Sequence, residues 1–473
     1  MPTLPPSLAE ALHRAAKHAQ DFRSRVDDGP QRPEMDYAQM LARFSSVLPD
    51  AGLSAADVVE RLVDLAAPGL HKMTGRRFFG WVIGSSHPVG VAADWLTSAW
   101  GQNAGNHQGT PAAAACETVA ARWLLELLHL PREASVGFVT GATMANFVCL
   151  AAARGKVLRE VGWDPDAQGL FGAPPIEVVI GDDAHATVFS ALQYLGLGHA
   201  RVKRVATDAQ GAIVPGAFEQ ALGATGGPCI AILQAGQLNT GAFDDFEALI
   251  PIARSRGAWI HVDGAFGLWA RACPPHAQLA AGVDQADSWA TDGHKWLQTP
   301  YDSGFAIVRD VAAHERAMTI SASYLPTSQG ERDPSHFVPE LSRRARGFAA
   351  WALIAHLGRN GIAEMVERHV RLAGLIAERL GREPGVAIVN DVVLNQVIVR
   401  FGAGESTAEG DRLTRATIAR IQEDGECFVG GAQWRGMWVM RVSVIGYDTR
   451  EADMLHAVRS MATAWNAVRS AGG

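Results

Sequence analysis

"WIHVDGAFG" (Trp259–Gly267) sets the frame for the whole chain. A short run of aromatic and β-branched residues ends on a carboxylate and a glycine. Such a run, closed by a turn signal, reads as a buried strand with Asp263 at its carboxyl end. A buried carboxylate is costly unless it is paired. Asp263 therefore calls for a cation, either an arginine or a protonated heterocyclic nitrogen. About one strand–helix–strand unit further on lies "WATDGHKWLQTPYDSG" (Trp289–Gly304). There His294 and Lys295 follow a polar Thr-Asp-Gly turn between apolar flanks. Lys295 is either an exposed loop charge or an amine held in a closed site for Schiff-base chemistry.

Outward from these two stretches, short apolar runs alternate with helical patterns. The strand candidates are "VGFVTG", "EVVIGD", "RVKRVAT", "CIAILQAG", "WIHVDGAF", "SWATD" and "GFAIVRD". Helical patterns such as "GTPAAAACETVAARWLLELL", "ATVFSALQYLGL" and "DFEALIPIARSRG" separate several of them. That alternation predicts an α/β domain with a mostly parallel sheet over residues 76–345, with ligands gathering at the carboxyl ends of its strands. Residues 1–75 read as helices joined by proline-rich links, beginning with an amphipathic helix near Ser7. Residues 346–473 read as a smaller α+β domain.

The bulk numbers exclude several classes. A net charge of −7 leaves no basic footprint for nucleic acid. The five cysteines are scattered and form no CxxC pair, which fits reduced thiols in a cytoplasmic protein and gives no zinc site. The first residues lack the apolar core of a signal peptide, and no run is long enough to span a membrane.

Two more strand ends join the first pair. "FVTGATMAN" (Phe138–Asn146) is a strand, a turn and a helix start, where free N–H groups and a hydroxyl suit a phosphate or simply cap the helix. "IGDDAHATVFSAL" puts His185 at the start of a helix. One cofactor needs phosphate donors, an acid for a pyridinium nitrogen and a lysine for an aldehyde together: pyridoxal 5'-phosphate.

On "HVDGAFG" and "DGHKW" at this spacing, the chain resembles the group II pyridoxal-phosphate-dependent decarboxylases, which include aromatic amino acid, glutamate and histidine decarboxylases. The likeness runs from "RRFFGWV" (Arg76–Val82) through "PELSRRARGFAAW" (Pro339–Trp351) and more loosely to the end. It implies the type I aminotransferase-like fold, with a seven-stranded sheet, a homodimer with its active site between subunits, and residues 1–75 as an intertwining arm. It implies that Lys295 holds the cofactor through a Schiff base and that Asp263 pairs with the ring nitrogen. His185 would stack on the ring, Ala265 would pack beneath it, and Ala142, Thr143 and His294 would take the phosphate.

The chain also departs from that pattern. The family's loop tyrosine, which returns a proton to the α-carbon, aligns with Pro334; Tyr324 belongs to an earlier pair and does not take its role. His336 lies nearby as a candidate donor. "QAGQLNTGAFD" (Gln234–Asp244) replaces a Gly-Thr-Thr segment, leaving Gln237 or Asn239 for the ring-oxygen contact. Trp81 falls in a substrate-pocket segment, against a default reading as a core residue, and favours an aromatic or bulky substrate. Arg441 resembles an arginine that binds the α-carboxylate. The expected function is decarboxylation of an L-amino acid. The missing tyrosine opens two alternatives with the same cofactor, a retro-aldol lyase and an oxygen-dependent aldehyde synthase. A non-catalytic binding homologue is disfavoured, because the full cofactor set is present.

Overall fold

The computed structural model describes residues 4–224, 226–319 and 331–471, so Tyr324 lies outside the described residues. Three helices open the chain: α1 (Pro6–Ser24), α2 (Tyr37–Phe44) and α3 (Ala55–Ala66). None of the three buries a residue, and Leu8, Leu12, Leu41, Phe44 and Leu62 are exposed. They hold one another through polar contacts, such as His18 Nε2 to Glu60 Oε2 at 2.9 Å. Helices α4 (Pro88–Trp100) and α5 (Pro111–Leu127) precede the main sheet.

That sheet has seven strands: β1 (Ser135–Val139), β2 (Glu177–Gly181), β3 (Lys203–Val205), β4 (Cys229–Gln234), β5 (Trp259–Asp263), β6 (Ser288–Asp292) and β7 (Gly304–Val308). Their order is β1-β7-β6-β5-β4-β2-β3. The pairs β3–β2, β2–β4, β4–β5 and β5–β6 are parallel, while β7 runs antiparallel to both neighbours. The helices alternate with the strands: α6 (Ala142–Glu160), α7 (Pro165–Gln168), α8 (Ala186–Tyr194), α9 (Pro215–Gly223), α10 (Phe246–Arg254) and α11 (Val311–Met318). Side chains alternate across each strand, so both faces need cover. On β4, Ile230 and Ile232 pack with Val148, Leu192 and Ala313 of α6, α8 and α11. Ala231 and Leu233 belong to the opposite core, with Leu124 of α5, Phe218 of α9 and Leu249 of α10.

A long helix, α12 (Gly347–Leu380), broken at Gly358, leads out of this layer; Leu353, before the break, joins the same core. Beyond it lie β8 (Val386–Ile388), β9 (Gln396–Phe401), α13 (Thr407–Asp424), β10 (Gly430–Trp434), β11 (Met437–Ser443) and α14 (Glu451–Ala471). These four strands form an antiparallel sheet in the order β10-β11-β9-β8. Its apolar face packs on Leu372 and Ile376 of α12, Ile421 of α13 and Met461 and Trp465 of α14.

Three histidines are sealed in these cores, each with both ring nitrogens engaged. His261 lies between Ser288 Oγ and Asn146 Oδ1, and His314 between Ser135 Oγ and Phe337 O. His369 accepts from the Trp296 indole at 2.8 Å and donates to Gly446 O at 2.9 Å. Burial pushes all three down to about 3. Their folded pKa lies below the unfolded value, so their contribution to stability is complete above pH 6.5 and is lost as pH falls towards 3. Below about pH 5.5, unfolding takes up three extra protons at these sites. The unfolding free energy is then expected to drop by about 4 kcal/mol per pH unit from this source. Denaturant titrations between pH 7 and 4.5 check this, and a flat profile would contradict it.

Candidate active site

The ends of five strands, β1, β2, β4, β5 and β6, meet at a cavity of about 390 Å³, with Thr143, His185, Asp263, Lys295, Gln234 and Tyr301 in its wall. β1 delivers the start of α6, where Gly141 precedes Ala142. Two glycines let the backbones approach here. A Cβ on Gly304 of β7 would sit 2.5 Å from Gly141 Cα, and one on Gly141 would sit 3.0 Å from His294 Cε1. This close fit sets the N–H groups of the helix start beside the end of β6, in an anion-favouring position.

β2 delivers His185, which caps α8 by accepting the Thr187 N–H. The Thr187 hydroxyl lies 2.7 Å from His185 Nδ1 and fixes the ring. Burial holds the imidazole below its usual pKa, against the pull of Asp263. β5 delivers Asp263, 5% exposed, whose Oδ1 accepts the Ala265 N–H at 3.2 Å. Burial raises its carboxyl above the usual carboxylate range, and His185 and Lys295 oppose that shift.

β6 delivers three groups. The polar "TDG" reads as a turn in the sequence, but Thr291 and Asp292 are the last residues of the strand and only Gly293 begins the turn. They complete ladder pairs with Phe305 and Gly304 of β7, which keeps them in the sheet. Asp292 Oδ2 lies 3.0 Å from Lys295 Nζ, and its Oδ1 accepts the Ala142 N–H at 2.6 Å. The His294 ring lies over Tyr301, centroids 4.4 Å apart, and burial lowers its pKa. Lys295 is followed by Trp296 and Leu297, both fully buried. The Trp296 bond to His369 anchors the lysine's backbone to α12.

Lys295, Asp263, His185, Ala142, Thr143, Ala265 and His294 thus share one cavity. Other sequence candidates lie elsewhere. Asn239 is beside the wall: its Oδ1 accepts from Arg441 Nη1 at 3.3 Å, and its neighbour Leu238 faces the cavity instead. Gln237 is spent on its own turn, accepting the N–H groups of Asn239 and Thr240. Arg441 is pushed down to about 10 by burial, remains cationic and acts electrostatically on His185.

Trp81 is neither a core residue nor part of this wall within the chain. It is 48% exposed and packs among His71, Phe78 and Phe428. His336 is also remote. The turn Pro334–Phe337 docks along β1, with Pro334 and Phe337 buried, and His336 lines a separate cavity with Arg332. The sequence reading missed Asp292 and Tyr301. A strand ending on a carboxylate was the available signal for Asp292, since it repeats the pattern at Asp263. Away from the cavity, Cys273 Sγ and His276 Nε2 lie 3.5 and 3.3 Å from Glu367 Oε2, a cluster that cysteine spacing gave no sign of.

An amine, a buried carboxylate and a helix start around one cavity fit an aldehyde, a pyridinium nitrogen and a phosphate. Fold and donor set together define a pyridoxal-phosphate enzyme of the type I aminotransferase-like fold. The family profile "Pyridoxal-dependent decarboxylase conserved domain" matches residues 38–401, and the chain belongs to that family. It is similar to tryptophan decarboxylase 1 of Oryza sativa subsp. japonica, at 25% identity over 97% of this chain and 92% of that protein. It is also similar to phenylacetaldehyde synthase of Arabidopsis thaliana, at 24% identity over 95% of this chain and 94% of that protein. The crystal structure of Oryza sativa TDC with PLP and tryptamine superposes with a TM-score of 0.89 at 23% identity, covering 99% of each chain.

Proposed function

We propose that this chain decarboxylates an L-amino acid, with bulky or aromatic side chains favoured. The observation that carries the reading is the convergence of Lys295, Asp263, His185 and the α6 start on one cavity. Bound pyridoxal phosphate supplies an electron sink for the pair left behind when carbon dioxide departs. Lys295 holds the aldehyde end. The Asp263 carboxylate keeps a proton on the ring nitrogen, and burial makes that pairing strong. His185, its ring fixed by Thr187, would pack against the cofactor, and small Ala265 would leave room for it. The N–H groups at Ala142 and Thr143, with His294, take the phosphate. Arg441, steadied by Asn239, supplies a cation for the substrate carboxylate. Among the described wall residues, Lys295, His185 and Tyr301 carry protons that can be returned to the α-carbon.

A second reading, oxygen-dependent aldehyde formation, is favoured by one observation. Pro334, where the family's tyrosine aligns, is buried against β1 and offers no hydroxyl. The similar proteins likewise include an aldehyde synthase beside decarboxylases. A panel of L-amino acids followed for carbon dioxide, amine, aldehyde and peroxide tests both. Carbon dioxide with amine is the expected result. Carbon dioxide with aldehyde and peroxide selects the second reading, and aldehyde without carbon dioxide indicates a retro-aldol lyase. No carbon dioxide from any amino acid refutes decarboxylation.

We further propose that residues 1–75, 76–345 and 346–473 act as arm, cofactor domain and small domain, in a cytoplasmic homodimer with the active site at the subunit interface. The uncovered apolar side chains of α1–α3 support a second copy as their cover. Cys116, Cys149, Cys273 and Cys427 are free thiols, in keeping with a reducing compartment. Among the described residues, no helix is long and apolar enough to cross a membrane.

A further inference from the structure

The slot at the start of α6 already holds an anion belonging to the chain. Asp292 is 2% exposed, and one of its oxygens takes the Ala142 N–H while the other pairs with Lys295 Nζ. His294 Nε2 lies 3.5 Å from the oxygen on the helix side. One carboxylate thus engages both the first amide of the helix start and the amine that would carry an aldehyde. The surroundings are tight, since a Cβ on Gly141 would lie 3.3 Å from Asp292 Oδ1. A phosphate dianion entering this slot would meet a carboxylate at contact range, where little water screens their repulsion. The charged and titratable groups facing Asp292 are Lys295 and His294 from its own turn, with Asp263, His185 and Tyr301 around the cavity.

We propose that Asp292 is a built-in occupant of the phosphate slot: it holds the slot and Lys295 in the cofactor-free protein, and it sets how tightly a phosphorylated aldehyde binds. This rests on the reading of Lys295 and the α6 start as the cofactor site. Asp292 acts as a positioning residue. The helix-start amides would hold the phosphate once Asp292 turns away, and Lys295, freed of its carboxylate partner, would be available to the aldehyde. The arrangement lets an empty site stay neutralised, and it weakens the binding of simple anions.

The test uses the full-length protein freed of cofactor, in wild-type form and as Asp292→Asn and Asp292→Ser. Asn keeps the shape and an acceptor for the Ala142 N–H but removes the charge; Ser removes the charge and opens space. Each is titrated with pyridoxal phosphate and with pyridoxal, read by the visible Schiff-base absorbance, and with inorganic phosphate, read by the melting midpoint. Both variants are expected to bind pyridoxal phosphate at least about tenfold more tightly than wild type. They should gain much less for pyridoxal, which lacks the phosphate, and inorganic phosphate should stabilise them but not the wild type. An unchanged or weaker affinity for pyridoxal phosphate in a folded variant overturns the inference, as does an equal gain for pyridoxal. If neither variant folds, the wild type decides: protection by millimolar inorganic phosphate overturns the proposal, and its absence supports it. A wild type that forms no Schiff base with saturating pyridoxal phosphate refutes the cofactor reading itself. A wild type that forms one, with variants no better, refutes only the role of Asp292.

Discussion

Lys295→Arg is expected to give a folded protein with no covalently held cofactor and with kcat/KM lowered by at least about 10³-fold. Arginine is the informative substitution because it preserves charge. The lysine ammonium pairs with Asp292 at 3.0 Å, and an alanine would leave that buried carboxylate without its cation. A guanidinium keeps the pairing but remains protonated at any working pH, so it cannot add to an aldehyde. The fold around it rests on Trp296 and its bond to His369, which the substitution does not touch. Borohydride reduction of the pyridoxal-phosphate-treated protein followed by peptide mass analysis is the measurement. Wild type should carry the reduced label on Lys295 and the variant should carry none. A labelled variant, or one within tenfold of wild-type activity, would show that another amine carries the chemistry.

Asp263→Asn is expected to separate activity from stability. The side chain keeps its shape, and an amide oxygen still accepts the Ala265 N–H. Its charge is lost, so no anion holds a proton on the ring nitrogen. The expected fall in kcat is on the order of 10²–10³-fold, the range seen when one electrostatic stabiliser is removed, with a small change in KM. Stability should move the other way. Asp263 sits where burial opposes ionisation, so a neutral amide lifts a penalty from the cofactor-free protein. The melting midpoint of that form should hold or rise while turnover falls. A parallel loss of both would mean that Asp263 is structural, paired for folding rather than for the cofactor.

The sequence carried the local parts of this structure well. Most of the strands appeared as short, largely apolar runs, because burial on both faces leaves little room for polar residues; the edge strand β3, Lys203–Val205, is the exception and buries only Val205. Asp263 and Lys295 stood out because charged groups beside such runs need a reason to be there. What could not be read was which strand lies beside which. Nothing in "GFAIVRD" indicates that β7 wedges antiparallel between β1 and β6, since pairing is set by contacts far apart in the chain. Asp292 was hidden by its own composition: Thr-Asp-Gly is turn chemistry, and it is long-range pairing, with β7 and with Ala265 O, that holds Asp292 in a strand. Trp81 and His336 were placed by alignment with a pocket segment and a loop, but the direction of a side chain depends on the packing beneath it. For Trp81 that packing is an aromatic cluster with Phe428 of the small-sheet region, and for His336 it is a turn laid against β1.

The placement of β7 has a consequence for how the chain comes off the ribosome. β1 has one neighbour in the sheet, and that neighbour lies 173 residues downstream in the register of Ser135 with Val308. Until residue 308 has emerged, the strand that feeds the anion slot has no ladder to join, and its backbone amides stay unpaired. The nascent protein must therefore carry an open, apolar edge through most of the synthesis of its central layer, a long-range closure of the kind that slows folding and invites chaperone capture.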